Sequence, residues 1–415
     1  MAVIQNRQIA VRNDNCIHCG FCTQYVACPA GTDGCIGCGA CVTACPQGAR
    51  SLKVLAPGNR SDKTEKINLV DFEVNGQPQQ LQGPISVSKA LDQLGFIEER
   101  ESTSVSGCAG SADTCGTGGC WNCVVLIDGR QARGCVTALR SGMKIIIRST
   151  VLEQMVPKRV VSVMRPAPHG HPSIFTHGCN YRCDLCHNWD LTFSSTASSL
   201  TPAQVVAQLA LQPKKDRWIG ISGGEPTINR PWLVDTVLQL RQSVPESRIQ
   251  LDTNASLLTP DYIDELIAAG VTDVSPDFKA FEIKTFMALS GVHDRKQADR
   301  YMRTVWQAIE YLQTRYADQI FMAVSIPCHP LIHTRSELEA MAAALAALNP
   351  DIPVTLTELQ PAFRMRHWPH VSQQSMEEAA SFLENKGLRR IMIQGGQSIP
   401  QAVDPSELAL STEDL

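Results

Sequence analysis

The hydrophobic pattern changes character along the 415-residue chain. Residues 16–46 hold closely set cysteines and little apolar sequence, too little to make a core from side chains alone. Ile67 to Val74 (INLVDFEV) is strand-like, and Asn75-Gly76 supplies a hairpin turn because both positions tolerate positive φ. Val87 to Leu94 carries a short helical pattern, and Val124-Val125-Leu126-Ile127, Asp128-Gly129 and Lys144-Ile145-Ile146-Ile147 supply later strands and a turn. Val156 to Pro172, rich in proline and basic residues and containing His169 and His171, reads as a linker with solvated histidines. Strands and helices then alternate to about residue 394, with strands predicted at Ser173–Thr176, Trp218–Ile221, Ile249–Asp252, Thr272–Ser275, Ile320–Val324, Val354–Thr357 and Arg390–Ile393. Thr201-Pro202 and Thr259-Pro260 each place a cap before a first-turn proline, and Gly270 closes the second of these helices. Such alternation implies a parallel sheet with helices outside, where polar residues at the carboxyl ends of strands are the ones to interpret.

Length points to two or three domains. The stretch Ala56-Pro57-Gly58-Asn59-Arg60-Ser61-Asp62 marks the first linker, giving expected units at residues 1–57, 65–148 and 160–400 and a polar tail at 401–415. The net charge of -4 provides no basic footprint for nucleic acid. Residues 1–15 lack the apolar core of a signal peptide, and no apolar run approaches a membrane span, so the expectation is a cytoplasmic protein with no membrane association.

Seventeen cysteines change that picture most. In a reducing compartment they are ligands rather than disulfides, and they fall in packets. The first packet reads Cys16-x2-Cys19-x2-Cys22-x5-Cys28-Pro29, then Cys35-x2-Cys38-x2-Cys41-x3-Cys45-Pro46, a tandem that resembles the bacterial ferredoxin run. The resemblance implies an α+β dicluster ferredoxin, with Cys16, Cys19, Cys22 and Cys45 on one 4Fe-4S cluster and Cys35, Cys38, Cys41 and Cys28 on the other. The first half has five residues, not three, before Cys28. Zinc ribbons are the competing reading, but their paired C-x2-C units are not triplets followed by Cys-Pro.

The second packet, Cys115-x4-Cys120-x2-Cys123 with Cys135 eleven residues on, has plant-type 2Fe-2S spacing, and Gly116, Gly118 and Gly119 let the backbone wrap closely. With the hairpin and helix it resembles a β-grasp ferredoxin domain, most similar to the iron-sulfur subunits of succinate dehydrogenase and fumarate reductase. Cys108 fits no ligand slot and reads as a spare thiol; Cys328 stands alone.

The third packet is Cys179-x3-Cys183-x2-Cys186. Three thiols can hold three irons of a cubane and leave the fourth open. Zinc would need a fourth protein ligand, and His187 directly after Cys186 is poorly spaced for it. The run resembles the cluster-binding loop of radical S-adenosylmethionine (SAM) enzymes, in which the open iron chelates SAM. Ser222-Gly223-Gly224-Glu225-Pro226 after the second strand resembles that family's motif for the SAM amino group. Asp252-Thr253-Asn254 and Asp277-Phe278-Lys279 follow the third and fourth strands. They resemble elements of the pyruvate formate-lyase activating enzyme group, which uses aspartates at these two strand ends around a monovalent cation, and Cys186-His187-Asn188 echoes the same group. A structural salt bridge is the alternative for Asp277 and Lys279. Leu185 stands where the family usually has an aromatic residue near the adenine. Val324-Ser325-Ile326-Pro327 reads as pocket floor. Arg364 and Arg366 read either as ligands for a substrate carboxylate or phosphate, or as surface charge.

The resemblance implies a (β/α)6 partial TIM barrel, three 4Fe-4S clusters, one 2Fe-2S cluster and SAM. It further implies reductive cleavage of SAM to a 5'-deoxyadenosyl radical and hydrogen abstraction from a protein or small-molecule substrate. Electrons would come from an external low-potential donor through the built-in clusters, whose order along the path the sequence leaves open. A glycyl-radical-enzyme activase is one alternative, although the ferredoxin segment here precedes the radical SAM loop rather than following it. A non-catalytic iron-sulfur electron-transfer protein is the other.

Overall fold

The computed structural model describes residues 8–28, 34–54, 69–96, 113–147, 158–165, 172–210 and 218–396. Cys108, the first linker, His169, His171 and the polar tail lie outside these residues.

In the amino-terminal module Gln8–Arg12 pairs antiparallel with Arg50–Val54, and two one-turn helices, Phe21–Gln24 and Ala40–Thr43, each start after a left-handed glycine, Gly20 and Gly39. A strand pair and two turns of helix are a small frame for eight cysteines, as expected of a module that needs its metal centres to fold.

The second module is a five-stranded mixed sheet in the order Gln77–Gln82, Leu69–Val74, Lys144–Ile146, Val124–Ile127, Arg130–Arg133. Asn75 and Gly76 take φ of 52° and 80° and close the predicted hairpin, with Val74 opposite Gln77. The helix Val87–Gln93, capped by Ser86, buries Val87, Ala90 and Leu91 on the sheet.

The third module carries the alternation. Strands Ser173–Thr176, Trp218–Gly223, Arg248–Thr253, Asp273–Pro276 and Phe321–Met322 run parallel in one sheet, and Val324–Cys328, Val354–Glu358 and Ile391–Gln394 run parallel in the next. Six strand-helix steps and a final strand result, an open version of the expected barrel. The predicted strand Ile320–Val324 divides at Ala323, because the chain leaves Asp273–Pro276 and takes Val354–Glu358 as its partner. The Asp277–Ser325 bridge carries the curvature across the division. Gly270 ends its helix at φ 121° as predicted.

One expectation fails here: Val160–Arg165, read as linker, is a strand antiparallel to Ser173–Thr176 and to Ser199–Leu200. Val160 and Val161, its first two residues, are buried, and they outweigh the flanking prolines that dominated the sequence reading. Trp232, fully buried, anchors the barrel core and donates its indole N–H to the Leu200 carbonyl at 2.9 Å. Among the described residues no helix is long and apolar enough to cross a membrane.

Candidate active site

A cavity of about 250 Å³ opens at the carboxyl ends of the barrel strands. Each strand end contributes: the cysteine loop follows the first, Gly223 and Gly224 the second, Asp252 and Asn254 the third, Asp277 and Lys279 the fourth. Ser325 and Pro327 line it from the fifth and Glu358 from the sixth. Cys179, Cys183 and Cys186 all face this space, and Leu185 borders it beside them. Burial raises the Cys179 and Cys183 thiols and pushes Cys186 up to about 12, so loading the loop with metal releases protons.

The donors fit a cubane held by three thiols with room for a further, non-protein ligand. The Asn254 amide lies 3.7 Å from Cys179 Sγ and donates to Asn180 Oδ1 at 2.9 Å; Asn180 in turn donates to Ser256. This buried network fixes the floor beside the first thiol. Lys279 pairs with Asp277 at 2.7 Å while Asp277 keeps 30% of its side chain exposed. Burial opposes the Lys279 charge, but the Asp277 carboxylate outweighs it and raises the ammonium above its ordinary value. The pair is therefore both a salt bridge and a cavity wall, which the two sequence readings treated as exclusive. Asp252 accepts from Gln250 Nε2 at 2.7 Å.

Glu225 stands differently from the expectation of an ammonium ligand. Only 2% exposed, it accepts hydrogen bonds from Thr227 N and Oγ1, Thr253 Oγ1 and Asn254 N, behind the wall rather than on it. Its carboxylate ties the second strand end to the third. Gly223 and Gly224 do comparable work: Gly224 N donates to Thr176 O at 2.7 Å and Glu225 N to Gly178 O at 2.8 Å. A side chain at Gly224 would collide with the Gly178 main chain, so these glycines let the motif lie on the cysteine loop.

Neither Arg364 nor Arg366 lines the cavity at the barrel mouth. Arg364 donates to the carbonyls of Val42, Thr43 and Cys45 and pairs with Asp184 of the cysteine loop at 2.9 Å; Arg366 donates to Pro46 O. Arg364 takes a third role, clamping the amino-terminal module onto the barrel, and Arg366 adds to the clamp from an exposed position. Phe21, Trp189, Phe193 and Phe363 pack at that junction, with Trp189 stacked on Phe363 at 5.5 Å.

Sequence reasoning set the segment from Glu358 to Arg366 at the mouth but gave no role to Glu358 itself, nor to Arg182. Glu358 accepts from Val371 N, Gly396 N and His370 Nδ1, and its position at a strand's carboxyl end was the available signal. His187 accepts from Gln360 N at 3.0 Å, and burial lowers its pKa. Cys328 is a buried core residue, its thiol pushed up to about 12 by burial.

The other packets also assemble. Cys16, Cys19, Cys22 and Cys45 line one cavity of about 130 Å³, the set that the crossed ferredoxin arrangement requires. Cys28 lies within electrostatic reach of Cys38 and Cys41, and Cys35 of Cys38. Cys123 and Cys135 Sγ are 3.2 Å apart, and the Cys115 and Cys120 amides each point at the other's sulfur at 3.5 Å.

With this geometry in place, comparison with known proteins is decisive at the level of domains. Residues 173–345 match the radical SAM superfamily, 68–149 a 2Fe-2S iron-sulfur cluster binding domain and 31–51 a 4Fe-4S binding domain. Residues 173–345 are thus a radical SAM domain. Ferredoxin-type domains precede it in the chain. Two curated relatives are each named "Probable GTP 3',8-cyclase": one from Thermoplasma volcanium, 32% identical over 132 residues (32% of this chain, 38% of that protein), and one from Saccharolobus solfataricus, 30% identical over 139 residues (32% and 42%). The chain thus spans about two fifths of the length of these relatives. A solved domain of pyruvate-formate lyase-activating enzyme from Bacteroides vulgatus is 18% identical, covering 42% of this chain and 98% of that one, with a TM-score of 0.34.

Proposed function

We propose that this radical SAM enzyme cleaves SAM reductively and abstracts a hydrogen atom from a small-molecule or protein substrate. One observation carries the reading: the three thiols of the cysteine loop and the polar residues of the next three strand ends line one cavity. Cys179, Cys183 and Cys186 would hold a cubane, which with SAM bound would supply the one-electron reduction of the sulfonium. The chain's own residues bind and orient. Asp252, Asn254, Asp277 and Lys279 offer acceptors and donors to the polar ends of SAM, and the main chain of Ser222 to Gly224 forms the facing wall. Leu185 gives the adenine an aliphatic neighbour. Glu225 acts on this site indirectly, by holding Thr253 and Asn254 in place. Asp277, already paired with Lys279, and Asp252 are the two aspartates available to a monovalent cation.

The cyclase names of the two curated relatives, whose aligned stretch is about a third of this chain, favour a small-molecule substrate over a glycyl-radical enzyme. The three cysteine-rich modules favour internal relay of electrons from an external low-potential donor. Anaerobic reconstitution should give about 14 irons per chain, from three cubanes and one binuclear cluster. Dithionite and SAM should then release 5'-deoxyadenosine. A fully loaded protein that releases none would sink the reading in favour of a pure electron carrier.

A further inference from the structure

The electron path has a structural order that the cysteine spacing does not show. Cys115 and Cys120 are 0% and 2% exposed, and they lie directly against the loop that carries Cys179. Arg182, inside that loop, donates to the Cys115 carbonyl at 2.6 Å, to Cys179 O at 2.6 Å and to Tyr181 O at 2.7 Å. One guanidinium therefore joins a main-chain carbonyl of the 2Fe-2S loop to one of the radical SAM loop, using the planar fork that a lysine lacks. Main-chain contact is equally close. A Cβ at Gly178, which has φ +87°, would lie 2.8 Å from both Cys115 Cβ and Cys120 N. A Cβ at Gly119 would lie 2.8 Å from Gly178 N. Asn229 donates to Cys120 O at 3.0 Å, and Arg300 and Tyr301 hold Asp113, two residues before the first ligand. By contrast Cys19 is exposed, and Cys16 and Cys22 partly so, beside an exposed Ile17.

We infer that the buried Cys115/Cys120/Cys123/Cys135 centre is the immediate electron donor to the Cys179/Cys183/Cys186 centre, that Arg182 is the positioning residue holding the two loops in register, and that outside reductant reaches the chain at the Cys16–Cys22 face. The step moves one electron: the reduced binuclear centre is oxidised, the cubane is reduced, and no bond or proton changes place. A low-potential one-electron donor outside the chain restores the electron. This inference deepens the proposed function and rests on its cluster assignments.

The test uses the full-length, anaerobically reconstituted protein reduced with dithionite, and reads electron-spin relaxation of the 2Fe-2S signal rather than turnover. A neighbouring paramagnetic cubane shortens that relaxation. In Cys183→Ala, which cannot retain the third cubane, the relaxation time should lengthen several-fold while the dicluster signals stay unchanged. In Arg182→Met with full iron content, the coupling should weaken; Arg182→Lys, which keeps the charge without the fork, should restore it only in part. Unchanged relaxation in Cys183→Ala overturns the proposed order, and full coupling in iron-replete Arg182→Met overturns the role of Arg182. Should Arg182→Met lose iron, Arg182→Lys decides the role and Cys183→Ala still decides the order. Failure of the two readings is distinguishable: coupling without 5'-deoxyadenosine leaves the order standing and removes the catalytic reading, and 5'-deoxyadenosine without coupling does the reverse.

Discussion

Replacing Arg364 by methionine should undock the amino-terminal ferredoxin module from the barrel while leaving each folded. Methionine keeps most of the apolar stem beside Phe363 and removes only the guanidinium. Three hydrogen bonds to the carbonyls of Val42, Thr43 and Cys45 disappear, with one ion pair to Asp184. A charged donor buried on a carbonyl contributes about 1.5–3 kcal/mol. Arg364 keeps 25% of its side chain exposed, so water replaces part of each bond, and about 1 kcal/mol per carbonyl is the discounted value. Asp184 is 42% exposed, which limits that pair to about 1 kcal/mol or less. The sum, about 3–4 kcal/mol, lowers the docking equilibrium by two to three orders of magnitude at about 1.4 kcal/mol per tenfold. Hydrogen-deuterium exchange should report it as faster exchange in peptides spanning residues 21–25 and 40–48, with peptides from the barrel core unchanged. Unaltered protection in those peptides would refute the clamp. A raised KM for substrate with unaltered protection would return Arg364 to the anion-binding role read from the sequence.

Three further outcomes follow from the same geometry. Gly178→Ala combines a left-handed backbone with a collision against Cys115 and Cys120, and should cost about 2 kcal/mol or more, seen as a lower Tm; an unchanged Tm refutes the close approach. Glu225→Gln puts an amide among four hydrogen-bond donors and should cost about 1–3 kcal/mol in urea unfolding, so a wild-type midpoint would mean the carboxylate does not hold the strand ends together. Burial lowers the pKa of His329 and His333 below the ordinary 6.5, so the unfolded chain binds more protons as pH falls. Their contribution is intact above pH 6.5 and is lost on acidification, so urea midpoints should drop from pH 7.5 towards pH 5.5; a His333→Gln variant with the same slope would exclude that residue as a source.

Much of the site was legible because cluster chemistry is written in short spacings. Cys179, Cys183 and Cys186 sit within eight consecutive residues of one loop, and Asp252, Asn254, Asp277 and Lys279 lie at or just beyond the carboxyl ends of predicted strands that face the same way. Contacts between modules were not legible. Arg364 lies more than three hundred residues from the carbonyls it binds, and nothing local distinguishes it from a surface arginine. The hydrogen bonds of Glu225 to Thr227, Thr253 and Asn254 were not legible, because the motif fixes its residue type and its strand but not the direction of its carboxylate. Val160–Arg165 was missed because a strand of six residues between proline-rich flanks becomes a strand only when a neighbour pairs with it.

The sequence by itself determined which cysteines fall in ligand-spaced packets and which ends of the barrel strands carry polar residues, since those depend on short spacings and local periodicity. Only the tertiary structure decided how the modules meet. It turned Arg182 and Arg364 into joints, moved Glu225 behind the cavity wall and laid the Cys115 loop against the Cys179 loop. Such contacts depend on distances between segments far apart in the chain, which are set when the separate surfaces pack and by nothing that a local pattern records.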